Sequence, residues 1–191
     1  MEQNPAVMEF LLTRRSRPQK TLTTPVPSRD QLTPILTAAL RSPDHGKLEP
    51  WRLIVLERGA LQRLGDLARS RAAALELPED KVLKGPMQFD TSHLCVAVIE
   101  VQKDSEKVPA IEQTYSAGAV CLALLNAAQA SGWGANWLTG WPAHDRGFVE
   151  QGLDLAENER VAGLIHIGTE TSPPPDRPRP DLESIVTWQS A

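Results

Sequence analysis

The sequence predicts an α+β fold, a mixed sheet flanked by helices around one long central helix. Three observations predict it. β-Rich runs are few, at residues 51–57, 94–101, 134–138 and 161–168, and helical patterns separate them. No Asn-Gly or Asp-Gly pair joins two of these runs as a tight hairpin. The length of 191 residues, with 41% apolar and 23% charged, suits one globular domain. An α+β or layered α/α/β arrangement fits this pattern better than a sandwich. The doubly wound dinucleotide fold is disfavoured, because no strand is followed by Gly-x-Gly-x-x-Gly and no phosphate-loop motif is present.

In chain order, Val7, Met8, Phe10, Leu11 and Leu12 make an apolar helical stripe that stops at Thr13-Arg14-Arg15-Ser16. Pro18, Pro25 and Pro27 mark the next stretch as extended loop. Ser28 with Gln31 is a capping-box pattern opening a helix through Leu32, Ile35, Leu36, Ala39 and Leu40. Pro34 conflicts with that start. Thr33 as N-cap, with Pro34 at the first helical position, is the alternative. The longer helix with a distortion is preferred, ending at Arg41-Ser42-Pro43.

Residues 51–57 read as a strand, 60–75 as an amphipathic helix and 78–89 as a shorter helix broken at Gly85-Pro86. The nearly continuous apolar run 94–101 suits a central strand buried on both faces. Residues 111–131 form the longest helix, stopped by Gly132. Its small residues, Ser116 to Ala119 with Ala123, Ala127 and Ala128, admit another backbone closely. A short strand at 134–138 runs into Thr139-Gly140, a helix follows at 145–152, and 161–168 is a third strong strand. Five prolines within residues 173–180 make a stiff, extended tail. The organisation expected is a single domain over 1–191, with 170–191 a proline-rich C-terminal extension.

Twenty basic against twenty-four acidic side chains give a net charge of −4. With no basic run, that balance argues against nucleic acid or an anionic membrane as partner. The longest apolar stretch is too short for a membrane span, and the N-terminus does not read as a secretory signal. Two cysteines, Cys95 and Cys121, lie in apolar runs without metal-ligand spacing, so a reduced, cytoplasmic protein is expected. The four histidines are scattered and Gly-x-Ser-x-Gly is absent, so neither a metal site nor a serine triad has support. Within the basic total, arginine outnumbers lysine fourteen to six, and arginine is the residue for bidentate phosphate contact.

Three segments carry the candidate chemistry. Arg14-Arg15-Ser16 sets two guanidiniums and a hydroxyl together, a grip for a dianionic phosphate. Taken alone, such a pair is more often solvated at a helix C-terminus. The loop from Arg41 to Trp51 holds Arg, Asp, His, Lys and Glu, too mixed for a metal site, and His45 alone reads as an ordinary histidine. Residues 133–141 hold three of the five tryptophans around two glycines. They offer stacking surface and close backbone approach to a flat ligand, or simply a core strand.

In order, these segments resemble the FMN-dependent nitroreductase family, most closely its compact, YdjA-like branch. The resemblance rests on a helix ending in Arg-Arg-Ser, a second ending in Arg-Ser-Pro-Asp-His, Pro-Trp-Arg opening a strand, Gly-x-x-Trp-Leu-Thr-Gly, and Gly-Leu-Ile-His-Ile-Gly-Thr. It runs from about Val7 to Thr169. It implies a homodimer with FMN at the interface. Arg14, Arg15 and Ser16 would hold the phosphate, ribityl chain and pyrimidine edge. Arg41 and His45 would reach the flavin from the other subunit. Trp137, Leu138 and Thr139 would line the ring, with Gly140 allowing close approach. The segment 127–132 matches a region associated with nicotinamide. Arg177 and Arg179 are further phosphate ligands inferred from charge.

The implied chemistry passes a hydride from NADH or NADPH through flavin N5 to a nitroaromatic, quinone or enone, with ping-pong kinetics and no protein general base. A guanidinium, Arg15 before Arg14, would favour negative charge on the ring. Lys47 and Glu49 stand where larger relatives carry Asn and Gln, which implies different contacts at the flavin edge. The short chain implies a more open site. The resemblance leaves open dehalogenation, flavin breakdown or a non-enzymatic flavin-binding dimer on the same scaffold.

Overall fold

The computed structural model describes residues 2–190. Helix α1 (Pro5–Thr13) starts where the Asn4 side chain accepts the Val7 N–H at 3.3 Å. The Ser28 capping box forms in both directions and opens α2 (Arg29–Ala39) with Pro34 inside it, so the longer helix is the one adopted. Then follow β2 (Trp51–Glu57), α3 (Arg58–Ala74), α4 (Glu79–Asp90), β3 (Leu94–Val101), α5 (Ala110–Ala130), β4 (Gly134–Leu138), α6 (Arg146–Leu153), β5 (Glu159–Glu170) and α7 (Leu182–Ile185). A two-residue strand, β1 (Leu22–Thr23), lies in the stretch expected to be loop, pairing with Thr169 and Glu170.

The α+β class holds, but the sheet is antiparallel at every described pairing rather than mixed. Two helices, α3 and α4, separate β2 from β3, so the chain returns reversed. β3 and β4, joined by the single helix α5, run the same way but never pair, because β5 inserts between them. Period-two alternation then divides the core. Cys95, Ala97, Ile99 and Leu164 pack with Leu61, Phe89 and Phe148 toward α3, α4 and α6. Val96, Val98, Ile165 and Ile167 pack with Leu32, Ile35, Val120 and Leu124 toward α2 and α5. Helices therefore cover both faces, which is why β3 reads as unbroken apolar sequence.

Gly85-Pro86 does not break α4. Both residues are buried, and the helix runs through them to Asp90. The Trp141 indole packs on Gly85, where an added β-carbon would lie 2.1 Å from Nε1. Its N–H donates to the Lys81 carbonyl at 3.0 Å, a tertiary hydrogen bond in the turn the proline disturbs. The tertiary contact overrides the local signal.

Candidate functional site

Helix α1 stops because Arg14 turns to φ −54, ψ 143 while its N–H still bonds the Phe10 carbonyl at 2.8 Å. That places Arg14, Arg15 and Ser16 across the C-terminal end of α5. Arg14 Nε donates to Gln129 Oε1 at 3.0 Å, and Arg14 Nη2 donates to Ser16 Oγ at 3.2 Å. Gln129 Nε2 donates to the Arg15 carbonyl at 2.6 Å and reaches the Ala135 carbonyl at 3.4 Å. The Ala135 carbonyl also accepts the Arg17 N–H at 2.9 Å. The arginine segment is thus tied to the start of β4.

The proline-rich tail returns over the same place. Arg15 Nη2 donates to the Pro175 carbonyl at 2.9 Å, and Arg179 Nη2 to the Leu12 carbonyl at 3.1 Å. Arg14, Arg15, Ser16, Arg177 and Arg179, with Pro178 and Pro180, line a cleft of about 460 Å³, and no carboxylate is among them. Burial, then the positive charges of Arg179 and Arg15, hold the Arg14 guanidinium below its ordinary pKa. Arg15 Nε is buried without a hydrogen-bond partner. Four guanidiniums around one cleft, with a buried donor unsatisfied, suit a small multivalent anion.

Trp137, Leu138, Thr139 and Gly140 line a second cavity, of about 420 Å³, with Lys84 and Gln88 of α4. Gly140 has φ +71, a left-handed conformation that a side chain would strain. Gln88 Nε2 donates to the Thr139 carbonyl at 3.3 Å, while its Oε1 is buried and unpartnered. The Trp137 indole lies on Gly163, where an added β-carbon would meet Nε1 at 2.2 Å, and it keeps 38% of its surface exposed. A partly exposed indole offers stacking surface to a flat ligand.

Arg41 and His45 line neither cavity. His45 Nδ1 contacts Glu112 Oε2 at 2.5 Å. The loop after it is left-handed at Gly46, Lys47 and Glu49, with φ of 71, 53 and 47. Two non-glycine residues in that region cost on the order of 1 kcal/mol or more each. The Asp44 carboxylate, accepting the Glu49 N–H at 2.7 Å, and the Lys103 ammonium, donating to the Leu48 carbonyl, hold the loop in that shape.

One chain therefore gathers Arg14, Arg15, Ser16, Arg177 and Arg179 in one cleft and 137–140 in another cavity, and leaves Arg41 and His45 apart from both. Gln88, Lys84 and Gln129 join these sites only through the fold. The last carries a trace in the sequence, a polar amide in an alanine-rich helical run. His166 is buried on β5, its Nδ1 2.8 Å from Ser92 Oγ, and burial pushes its pKa down to about 4. Cys95 and Cys121 are buried free thiols, and burial pushes Cys121 up to about 12. None of the three is a poised base or nucleophile. Among the described residues no group of three or more His, Cys, Asp or Glu is placed to hold a metal ion. No helix among them is long and apolar enough to cross a membrane.

The sequence profile of the nitroreductase family matches residues 11–169. A Haemophilus influenzae protein that bears the name of an NAD(P)H nitroreductase is 34% identical over 163 residues, spanning 85% of this chain and 87% of that protein. YdjA of Escherichia coli K12, named in the same way, is 30% identical over 162 residues, with coverage of 85% and 87%. Among solved structures, a nitroreductase-like family protein from Bacillus cereus superimposes with a TM-score of 0.78 at 19% identity, covering 100% of both chains. An FMN-dependent nitroreductase from Clostridium difficile superimposes with a TM-score of 0.69 at 19% identity, covering 94% of this chain and 98% of that one. These two structures share the fold.

Proposed function

This chain belongs to the nitroreductase family and is an oxidoreductase, and from that premise we propose an FMN-dependent enzyme that carries electrons from NADH or NADPH to a nitroaromatic, quinone or enone acceptor in a ping-pong cycle. The observation that carries the reading is the carboxylate-free cleft of four guanidiniums with the unpaired Arg15 Nε. That donor set fits a phosphate monoester. Arg14, Arg15 and Ser16 hold the phosphate end, joined by Arg177 and Arg179 from the tail. Trp137, Leu138, Thr139 and Gly140 line the ring. Bound FMN supplies hydride chemistry at N5. The guanidinium of Arg15 favours negative charge on the bound cofactor.

The working unit is a cytoplasmic homodimer, each copy one FMN-binding domain over 1–191 with 170–191 its extension. Arg41 and His45 serve the site of the second copy. Helix α1 supports this, since it buries no residue and leaves Val7, Met8, Leu11 and Leu12 about half exposed or more. The free, buried thiols accord with a reducing compartment.

The test is anaerobic addition of NADPH or NADH to the FMN-loaded protein. Bleaching of the yellow colour, restored by a quinone or nitroaromatic, is the expected result. Yellow protein that neither nucleotide bleaches would make the chain a flavin binder without this activity. Colourless protein that takes up no FMN would overturn the flavin reading altogether.

A further inference from the structure

We propose that Gln129 is a positioning residue of the cofactor site, presetting Arg14 and Arg15 for a phosphate; this rests on the flavin reading above. Its amide is used at both ends. The oxygen accepts from Arg14 Nε at 3.0 Å, and the nitrogen donates to the Arg15 carbonyl at 2.6 Å. The same nitrogen reaches the Ala135 carbonyl at 3.4 Å, on the strand that continues into Trp137 and Leu138. One side chain on the last turn of α5 therefore fixes the phosphate segment and connects it to the ring-lining strand.

The physical need for such a residue is plain. Arg14 is half-buried, and burial with the neighbouring guanidiniums of Arg179 and Arg15 disfavours its charge. Left to itself, a long side chain under like-charge repulsion would swing out to water. A carboxylate partner would hold it but cancel the charge the anion needs. A neutral amide holds Arg14 by Nε and leaves its charge intact. Nη2 remains engaged with Ser16, so Arg14 is fixed from two sides beside the cleft. Gln129 itself does not touch the flavin. It acts through Arg14 and Arg15.

Because its two shorter hydrogen bonds go to the phosphate segment and only the 3.4 Å one goes to β4, its removal separates two ligands that share the ring, FMN and riboflavin. Gln129→Met keeps the volume and loses all three hydrogen bonds. The expected result is FMN binding weakened about tenfold with riboflavin binding unchanged. Gln129→Glu, a second variant in case the first fails to fold, puts a carboxylate on Arg14. It is expected to weaken FMN at least as much, to spare riboflavin, and to reduce the salt dependence of FMN binding. Equal loss of both ligands, with a lowered melting temperature, would make Gln129 merely structural and overturn the proposal. Unchanged affinity for both would overturn it as well. Wild-type protein that binds neither flavin would fail differently, by overturning the flavin reading on which this one stands.

Discussion

The Arg15 guanidinium donates from Nη2 to the Pro175 carbonyl at 2.9 Å, joining two segments 160 residues apart in the chain. A proline-rich tail would cost little if it simply trailed in water. Here it lies over the phosphate segment, while Arg179 closes the other side on the Leu12 carbonyl at the end of α1. The net charge of −4 argues against extended polyanions as partners, yet four of the fourteen arginines converge on one cleft.

Arg15→Ala removes the buried Nε and the tie to the tail together. Hydrogen bonds to charged groups contribute about 1.5–3 kcal/mol, so FMN affinity should fall by about tenfold to a hundredfold. Fluorescence titration with FMN measures it. A variant that binds FMN as tightly as wild type and turns over normally would remove Arg15 from the site.

Gly85→Ala should destabilise the protein by about 1–3 kcal/mol, because the new methyl meets the Trp141 indole. Gly59→Ala, in the first turn of α3 with open space around it, is the control and should be neutral or slightly stabilising. Urea unfolding of the two variants reads the difference. Equal stabilities would mean Trp141 moves aside at no cost.

Much of this fold is written locally. The Ser28–Gln31 box, the apolar run of β3 and the stop at Thr13 are each specified by neighbouring residues, and each forms where the pattern places it. What escaped depends on distant partners. Nothing in Leu22-Thr23 marks a strand until Thr169 and Glu170 arrive to pair with it. Pro86 reads as a breaker because its local cost is visible and the Trp141 contact is not. In the site, Arg14, Arg15 and Ser16 are adjacent in the chain, so their joint place in one cleft was legible. Gln129 was not, because an amide between two helical alanines gains its meaning only from Arg14 and Arg15, 115 and 114 residues away.

Stability should depend on pH through His166. Its folded pKa is about 4 against an ordinary value of 6.5. The unfolded chain therefore binds a proton first as pH falls. The stability from keeping His166 neutral is fully present above about pH 6.5 and lost progressively down to about pH 4. The slope contributed is at most about 1.4 kcal/mol per pH unit. Denaturant melts from neutral to acid pH should show it, and His166→Leu should flatten it. An imidazole that NMR finds protonated at about pH 6 would refute the assignment.

Glu100 is 2% exposed at its side chain. Burial pushes its carboxyl up, but hydrogen bonds from Arg160, Thr114 and Gln102 outweigh that and hold it below the usual range. The resulting stability is present above the ordinary carboxylate pKa and lost as pH falls through the depressed folded value. Arg160→Met strands the carboxylate and should cost toward the lower end of about 3–5 kcal/mol at neutral pH, because Arg160 itself is 59% exposed. The loss should shrink in acid, where the stranded carboxyl protonates. A variant as stable as wild type at neutral pH would show that Thr114 and Gln102 suffice.

A crystal structure of the protein grown with FMN tests the central claim most directly. The account predicts a phosphate between Arg14, Arg15, Ser16 and the tail arginines Arg177 and Arg179, the ring against residues 137–140, and Arg41 and His45 of a second copy completing the site. A phosphate bound elsewhere, with the arginine cleft empty, would contradict it.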